Sequence, residues 1–425
     1  MPKATNSTDL SHWYLFFIFP VLAGFNALKY FRAPWAKNII WAFVVFYGFT
    51  IGISNEKSSE DGGTADIFRY AEKISDFNKL ELSISKIQTL YIENDDVDIL
   101  NLTLAIGISR FTDSMQVMAA IYGFIFGFFF TRNMWYVLER ISGKIQPALL
   151  ILIAAFFLVN PIWNLGGFRF WTAAHIFIYG ILPFLFEGKK GGLLVSVLSI
   201  LVHFSFMLPV AVLLLYLILG NRTVIFFAFF LASIFVSEIK ITAFNTFIEE
   251  NTSEKFAKRT SGYRSEEAVE QFRQAGEEDE AEGPQISWHA RYYVKALTWS
   301  LMAFLFFLFF KRKVLQQLHP AFLNSLSFTL LFWGFANIMS SIPSGGRFLT
   351  VAALSAFPLI IFYLQSQPKE TGITNLLRIT MPALLLYIIV AARIGFYSFS
   401  LNTILGNPLI ELFMDTQISL NDIIK

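Results

Sequence analysis

The chain contains no cysteine. That excludes a disulfide framework, a thiolate nucleophile and a cysteine-ligated metal. Charge is scarce as well: Asp, Glu, Lys and Arg make up 15% of the residues, where a soluble domain carries about 25%. The net charge is only +2, so no basic excess points to a nucleic-acid partner. The sequence has no G-x-S-x-G, H-E-x-x-H, GK[ST] P-loop or G-x-G-x-x-G. ATP-driven transport and intramembrane metalloproteolysis therefore lack their usual signatures. No internal repeat or low-complexity tract is visible. The N-terminal MPKATNSTDLSHW has no signal-peptide pattern, and the first apolar stretch is expected to be retained as a span.

What is present is apolar surface. Hydrophobic residues make up 55% of the 425, with 49 Phe among them, and the mean hydropathy is +0.55. A membrane span needs about 20 apolar residues. Candidate spans are 12–31, 38–54, 114–131, 146–163, 168–186, 191–219, 223–239, 289–310, 321–342, 347–364 and 376–395. The stretch 191–219 is too long for one ordinary span, and HFSFMLP at 203–209 looks like a break.

Charge decides whether that break reverses the chain, because short basic loops mark the cytoplasmic side. The basic loops contain Lys29, Arg32 and Lys37; Arg132, Arg140 and Lys144; Lys189 and Lys190; Arg222; Lys311, Arg312 and Lys313; and Lys369 and Arg378. Two long loops are acidic: residues 55–98 hold 11 acidic and 5 basic side chains, and residues 240–287 hold 11 and 6. A reversal near 204–209 puts every basic loop inside and both acidic loops outside. The expected fold is an all-α polytopic membrane protein, a single membrane domain over 1–425 with about twelve transmembrane helices and both termini outside. Extracytoplasmic loops are expected at 55–113 and 240–288. Both should carry short helices, since 67–74 and 265–272 have helical spacing. The apolar piece 99–110 is too short to span and is expected to be re-entrant or interfacial.

Arg169 stands out, because an arginine near a bilayer centre costs roughly 2.5–3.5 kcal/mol on insertion scales. On the topology above it lies at the outer end of its span, after Gly166 and Gly167, where a helix start adds N–H donors. Arg347 follows Gly345 and Gly346 in the same way. Each could grip a phosphate or diphosphate by bidentate hydrogen bonds. A structural ion pair with a carboxylate is the alternative. His203, at the tip of the broken segment, suits a general base or a phosphate donor, or else a satisfied buried histidine. His175 is six residues from Arg169, so the two do not share a helical face, and it is expected to be structural. Asp66 and Tyr70 are spaced i, i+4 and share one. A carboxylate there could act as a base on a hydroxyl; a solvated acidic loop is the ordinary alternative. Arg69 lies between them, and His289 and Arg291 open the span 289–310. The acidic runs at Glu93, Asp95, Asp96 and Asp98 and at 277–282 lack an EF-hand pattern and are expected to be solvated.

These pieces together resemble the EpsG family, membrane proteins of bacterial exopolysaccharide synthesis related to Wzy-type polysaccharide polymerases. Asp66-x-x-x-Tyr70 is similar to that family's D-x-x-x-Y in the first outer loop, and Arg169 to Ala173 is similar to its R-x-x-x-A at a span start. His203-Phe204-Ser205 resembles its F-H-x-S, with Val202 in place of the usual aromatic. Arg347 resembles its late arginine, with Val351 where a tyrosine is common. The resemblance covers most of the chain in order and spacing.

The resemblance implies a glycosyltransferase of the GT-C-like class in the bacterial cytoplasmic (inner) membrane, with its active site facing the periplasm. Its substrate would be an undecaprenyl-diphosphate-linked oligosaccharide, moved from its lipid diphosphate to a hydroxyl of the next lipid-linked repeat unit. A chain-length regulator and a flippase are the expected partners, besides membrane lipid. On this reading Arg169, Arg347 and Arg291 bind the diphosphate, Asp66 or His203 removes the hydroxyl proton, and Tyr70 and Arg69 support them. No metal or cofactor is expected, since the arginines supply the charge. The rival expectations are a flippase or transporter of a lipid-linked sugar or organic anion, an O-antigen ligase-type transferase or acyltransferase, and a structural assembly subunit.

Overall fold

Long apolar runs bounded by proline, glycine and capping side chains fold as helices in the computed structural model, which describes residues 7–52, 62–81, 83–93, 98–235 and 288–414 with 419, 420 and 423. We number the helices in chain order. α1 and α2 are Ser7–Ile18 and Pro20–Lys29; α3 is Ala36–Phe49; α4, α5 and α6 are Gly62–Asn78, Ile84–Glu93 and Ile99–Ser109. α7 is Met115–Leu138, α8 Pro147–Val159, α9 Phe168–Glu187, α10 Leu193–Val202, α11 Met207–Leu219 and α12 Thr223–Ile234. After 236–287, which lie outside the described residues, come α13 (Trp288–Phe310), α14 (Arg312–Leu318), α15 (Pro320–Met339), α16 (Arg347–Ser366) and α17 (Thr371–Gly395), with two short helices, Leu401–Leu405 and Pro408–Glu411.

Six apolar stretches among the described residues are long enough to cross a membrane: Met115–Leu138, Pro147–Glu187, Tyr292–Phe310, Pro320–Met339, Arg347–Ser366 and Thr371–Gly395. The second is two helices, since α8 stops at Asn160 and Pro161 and a 3-10 turn over Ile162–Gly167 precedes α9. This break is satisfied internally, as buried backbone requires. The Asn160 side chain donates to the Trp171 carbonyl at 3.0 Å, and the Asn160 carbonyl bonds His175 Nε2 at 3.2 Å. α16 is the central helix: its most apolar window is 83% buried, against 33% for α17. Arg347 is the first residue of that central helix.

The helices alternate in direction between two ends, and side chains mark them. At one end the basic loops touch one another. Arg32 donates to the Gly143 carbonyl at 2.7 Å and Lys37 pairs with Glu139 at 2.9 Å. Arg140 pairs with Glu187, Gln365 donates to Ser142 at 2.9 Å, and Lys311 pairs with Glu370 at 2.6 Å. At the other end Ser400 donates to the Thr50 carbonyl at 2.5 Å and the Gly52 amide to the Ser398 carbonyl at 2.9 Å.

The break in 191–219 does reverse the chain. His203 is extended and a 3-10 turn at Phe204–Phe206 starts α11. Phe206 meets Phe170 near the start of α9, with ring centroids 5.2 Å apart, and Tyr216 meets Phe184 near its end, at 6.4 Å. α11 therefore runs parallel to α9. α10 runs antiparallel to α9, with Ser196 bonded to the Phe177 carbonyl at 2.9 Å. These two pack at backbone distance. A Cβ on Gly180 would lie 2.4 Å from the Gly192 carbonyl oxygen and 2.2 Å from Ser196 Oγ, the close approach that small residues permit between helices in lipid.

The single span expected at 12–31 is corrected. Residues 12 and 26 of one straight helix would stand about 21 Å apart, yet the Asn26 amide bonds His12 Nδ1 at 3.0 Å. The His12 ring also stacks on Trp35, 3.5 Å between centroids. The chain folds back at Phe19, where Pro20 lacks the N–H that would continue the helix. α1 and α2 form a hairpin, and α1 begins at the end that carries the basic loops. Ser7, the first described residue, therefore lies at that end, and residues 1–6 lie outside the described residues.

Residues 67–74 lie inside α4, as their spacing predicts, and Ile99–Ser109 forms α6, half-buried against α4 and α10. The helix expected at 265–272 lies outside the described residues.

Candidate functional site at the loop-bearing end

Arg169 occupies the first turn of α9, behind the 3-10 turn that ends the α8 break. Its guanidinium is held from two sides. Nη1 donates to Asp98 Oδ2 at 2.9 Å, and Nε donates to the Tyr70 hydroxyl at 2.9 Å. Asp98 is the residue just before α6, and its side chain is only 2% exposed while that of Arg169 is 16% exposed. The other carboxylate oxygen of Asp98 accepts the Phe204 backbone N–H at 2.8 Å, at the start of the turn between α10 and α11. One carboxylate thus joins three elements, and its charge-assisted bonds are of the strong kind.

Asp98 is a correction. It closes an acidic run whose members were expected to be solvated, yet it is the buried counter-ion of Arg169. Arg169 accordingly sits in the ion-paired arrangement named above as the alternative to an open anion site.

Tyr70 points into the core from α4 and is buried, with its ring edge-on to Tyr122 at 5.8 Å. Tyr122 stacks in turn on Phe168 at 4.0 Å and donates to Asn101 at 3.1 Å. Burial pushes the Tyr70 phenol above its ordinary value, against the opposing pull of Arg169. It is a neutral phenol that accepts from the arginine. Asp66, one turn earlier on the same helix, does not reach Arg169: its carboxylate pairs with Arg69, whose side chain is exposed. The i, i+4 spacing correctly put Asp66 and Tyr70 on one face, but an i, i+3 partner claimed the carboxylate.

His203 packs between two rings. It stacks on Phe204 at 5.3 Å and meets Phe170 edge-on at 5.4 Å. Its Nδ1 accepts the Ser205 backbone N–H at 3.2 Å, with Ser205 Oγ at 2.8 Å. A backbone N–H can only donate, so Nδ1 carries no proton, and the neutral ring bears its hydrogen on Nε2. This favours a donor role for His203 over that of a base.

Arg347 is exposed, and its guanidinium carbon stands 5.8 Å from the centroid of the same Phe170 ring. Phe170 therefore touches both Arg347 and His203. Of the two glycines before Arg347, Gly345 has a packing reason: a Cβ there would lie 1.8 Å from the Met339 carbonyl oxygen, whereas one on Gly346 would meet open space. Arg347 opens onto a cleft of about 290 Å³ between α8, α9, α13, α16 and α17, whose aromatic lining includes Trp163, Trp171, Tyr293 and Tyr387. Asn164 also lines it, its side chain tied to Asn160 at 2.9 Å. An arginine at the mouth of an aromatic cleft suits an anion attached to an apolar or sugar-bearing group.

The remaining expected residues separate. Of His289 and Arg291 only the backbone, in the first turns of α13, is described. His175 is structural, as expected: fully buried, bonded to Asn133 and Asn160, and edge-on to Phe126 and Phe130. Among the described residues no three His, Asp or Glu side chains converge to hold a metal ion. Compared with protein-family models, curated proteins and solved structures, the chain matches none.

Proposed function

We propose that this multi-pass membrane protein transfers a glycan from undecaprenyl diphosphate to a hydroxyl of a lipid-linked repeat unit, at the outer face of a bacterial cytoplasmic membrane. The observation that carries this reading is the exposed Arg347 at the mouth of the aromatic cleft, at the end of the bundle opposite the basic loops. Basic loops favour the cytoplasmic side, which supports an outer position for that cleft. Tryptophan and tyrosine faces suit sugar rings, and an arginine fork suits a diphosphate.

In this mechanism Arg347 holds the donor diphosphate and stabilises charge as the sugar–phosphate bond breaks. His203 donates from Nε2 to a phosphoryl or sugar oxygen. Asp66 takes the proton of the acceptor hydroxyl, with Arg69 fixing its carboxylate. Arg169 acts with Asp98 and Tyr70 to hold the first outer loop over the site, and Arg291 is a further contact for the donor. The GT-C-like class and a count of about twelve crossings belong to this proposal; the alternation of helix directions from α3 to α17 supports them, and the hairpin of α1 and α2 modifies the first crossing.

The test is incubation of purified protein with a lipid-linked repeat unit. A glycan ladder is expected, and Arg347→Ala should abolish it. Movement of the lipid-linked unit across vesicles without any ladder would favour the flippase reading instead, and transfer of one unit to a different acceptor would favour a ligase.

A further inference from the structure

The end of the bundle that carries the basic loops holds a second cavity, of about 550 Å³, between α3, α7, α9 and α10. Its charged lining is Lys37, Arg132, Glu139, Arg140, Glu187 and Lys189, four cations against two carboxylates. The carboxylates are shared out: Glu139 pairs with Lys37 at 2.9 Å, and Glu187 pairs with both Arg140 and Lys189. Arg132 makes no ion pair among the described residues. Its bonds go to neutral acceptors, Asn38 Oδ1 at 3.0 Å and Thr131 Oγ1 at 3.2 Å, and it lies over the rings of Trp41 and Phe128. A guanidinium has five N–H donors, so these two bonds leave capacity for an anion.

The surface beside the cavity is apolar. Leu194, Val197, Leu198 and Leu201 are exposed on α10 at i, i+3, i+4 and i+7. They form one stripe, which starts at the cavity rim, where Gly192 and Val195 line it, and runs toward the opposite end. A cationic cavity at the head of an exposed apolar stripe matches a phospholipid, head and tail, better than it matches a free ion.

We propose that this cavity binds the phosphate headgroup of an anionic phospholipid from the leaflet that faces the basic loops, with Arg132 and Lys37 as its principal cations and the α10 stripe as the seat of an acyl chain. The inference rests on the membrane-embedded fold and is independent of the transferase reading. Basic pockets between transmembrane helices are a recognised way of holding such headgroups.

Delipidated protein in neutral detergent tests this, with bound lipid counted by native mass spectrometry as dioleoyl phosphatidylglycerol, dioleoyl phosphatidylcholine or inorganic phosphate is titrated in. Retention of phosphatidylglycerol alone is expected. Each cation removed should weaken it about fivefold, so Lys37→Gln with Arg132→Gln should weaken it roughly 30-fold. Lys311→Gln, a basic residue of the same end outside the cavity, should leave it unchanged. Equal binding of phosphatidylcholine overturns the proposal, as does an unaffected double variant or an equal loss in Lys311→Gln. Inorganic phosphate competing at the affinity of the lipid makes this a free-phosphate site and overturns the lipid assignment. If the double variant does not fold, salt decides on the native protein: phosphatidylglycerol binding that persists undiminished at about 1 M salt, where charge is screened beyond about 3 Å, overturns it as well.

Discussion

Replacing Asp98 removes the carboxylate that ties Arg169 to the turn after α10. Breaking a buried ion pair from one side costs about 3–5 kcal/mol, because the remaining charge stays in a poor solvent. Arg169 is 16% exposed and keeps its bond to Tyr70, so Asp98→Ala belongs at the lower end, about 3 kcal/mol. Asp98→Asn still offers an oxygen to the Phe204 N–H but turns an amide donor or a neutral oxygen toward the guanidinium, and should cost about 2 kcal/mol. The assay is amide hydrogen exchange on peptides that contain Phe204, since that N–H donates directly to Asp98. If the pair holds the turn closed, 3 kcal/mol of lost local stability speeds exchange there by about 150-fold, and Asp98→Asn speeds it about 30-fold. The double change with Arg169→Gln should recover part of the loss, a coupling of about 1–2 kcal/mol. Exchange at Phe204 in Asp98→Ala within about twofold of the wild type would refute the argument, whatever happened to activity.

Four further outcomes follow from the same geometry. Arg347→Ala should change thermal stability by less than about 0.5 kcal/mol, since the residue is exposed and makes no ion pair among the described residues, while lowering glycan transfer by about 10²-fold or more in the ladder assay. Gly180→Ala forces a Cβ against the Gly192 carbonyl and Ser196 and should cost about 1–3 kcal/mol, read as a lower unfolding temperature in detergent. Ser400→Ala removes the bond to the Thr50 carbonyl and the cap of the short helix Leu401–Leu405; a loss of about 1–2 kcal/mol should appear as faster proteolysis of the C-terminal segment. The absence of native cysteine allows clean side-specific labelling: Ser7→Cys should react with an impermeant maleimide from the same side as Lys144→Cys, and Asp113→Cys from the other.

How much of this was legible depended on whether neighbours in sequence or neighbours in space decide the outcome. The reversal at His203 was legible, because a histidine and a proline interrupt an apolar run and the flanking charges left one consistent direction. The facing of Asp66 and Tyr70 was legible from helical spacing alone. The destination of the Asp66 carboxylate was not, since Arg69 and Arg169 are equally plausible partners until α4 is placed. Asp98 was the instructive miss. It follows two acidic neighbours and looks solvated, and only the arrival of α9 and of the Phe204 turn buries it. One local sign was available: it abuts the apolar helix Ile99–Ser109, where a carboxylate at the helix start is favoured. The hairpin of α1 and α2 was hidden because Pro20 is as compatible with a new helix start as with a bend in a continuous one. It took the contact of His12 with Asn26 and Trp35 to separate the two.

The pairing of Asp98 with Arg169 also has a consequence in time. The carboxylate leaves the ribosome 71 residues ahead of its arginine, and α6, α7 and α8 are made in between. The anion must therefore wait, attached to a half-built loop, until the ninth helix is delivered. A nascent chain halted before residue 169 would hold a carboxylate with no counter-ion, and one whose first loop failed to dock would present an unmatched arginine to the insertion machinery. Either fault leaves this ion pair unmade, so the docking of the first loop is tied to the arrival of α9.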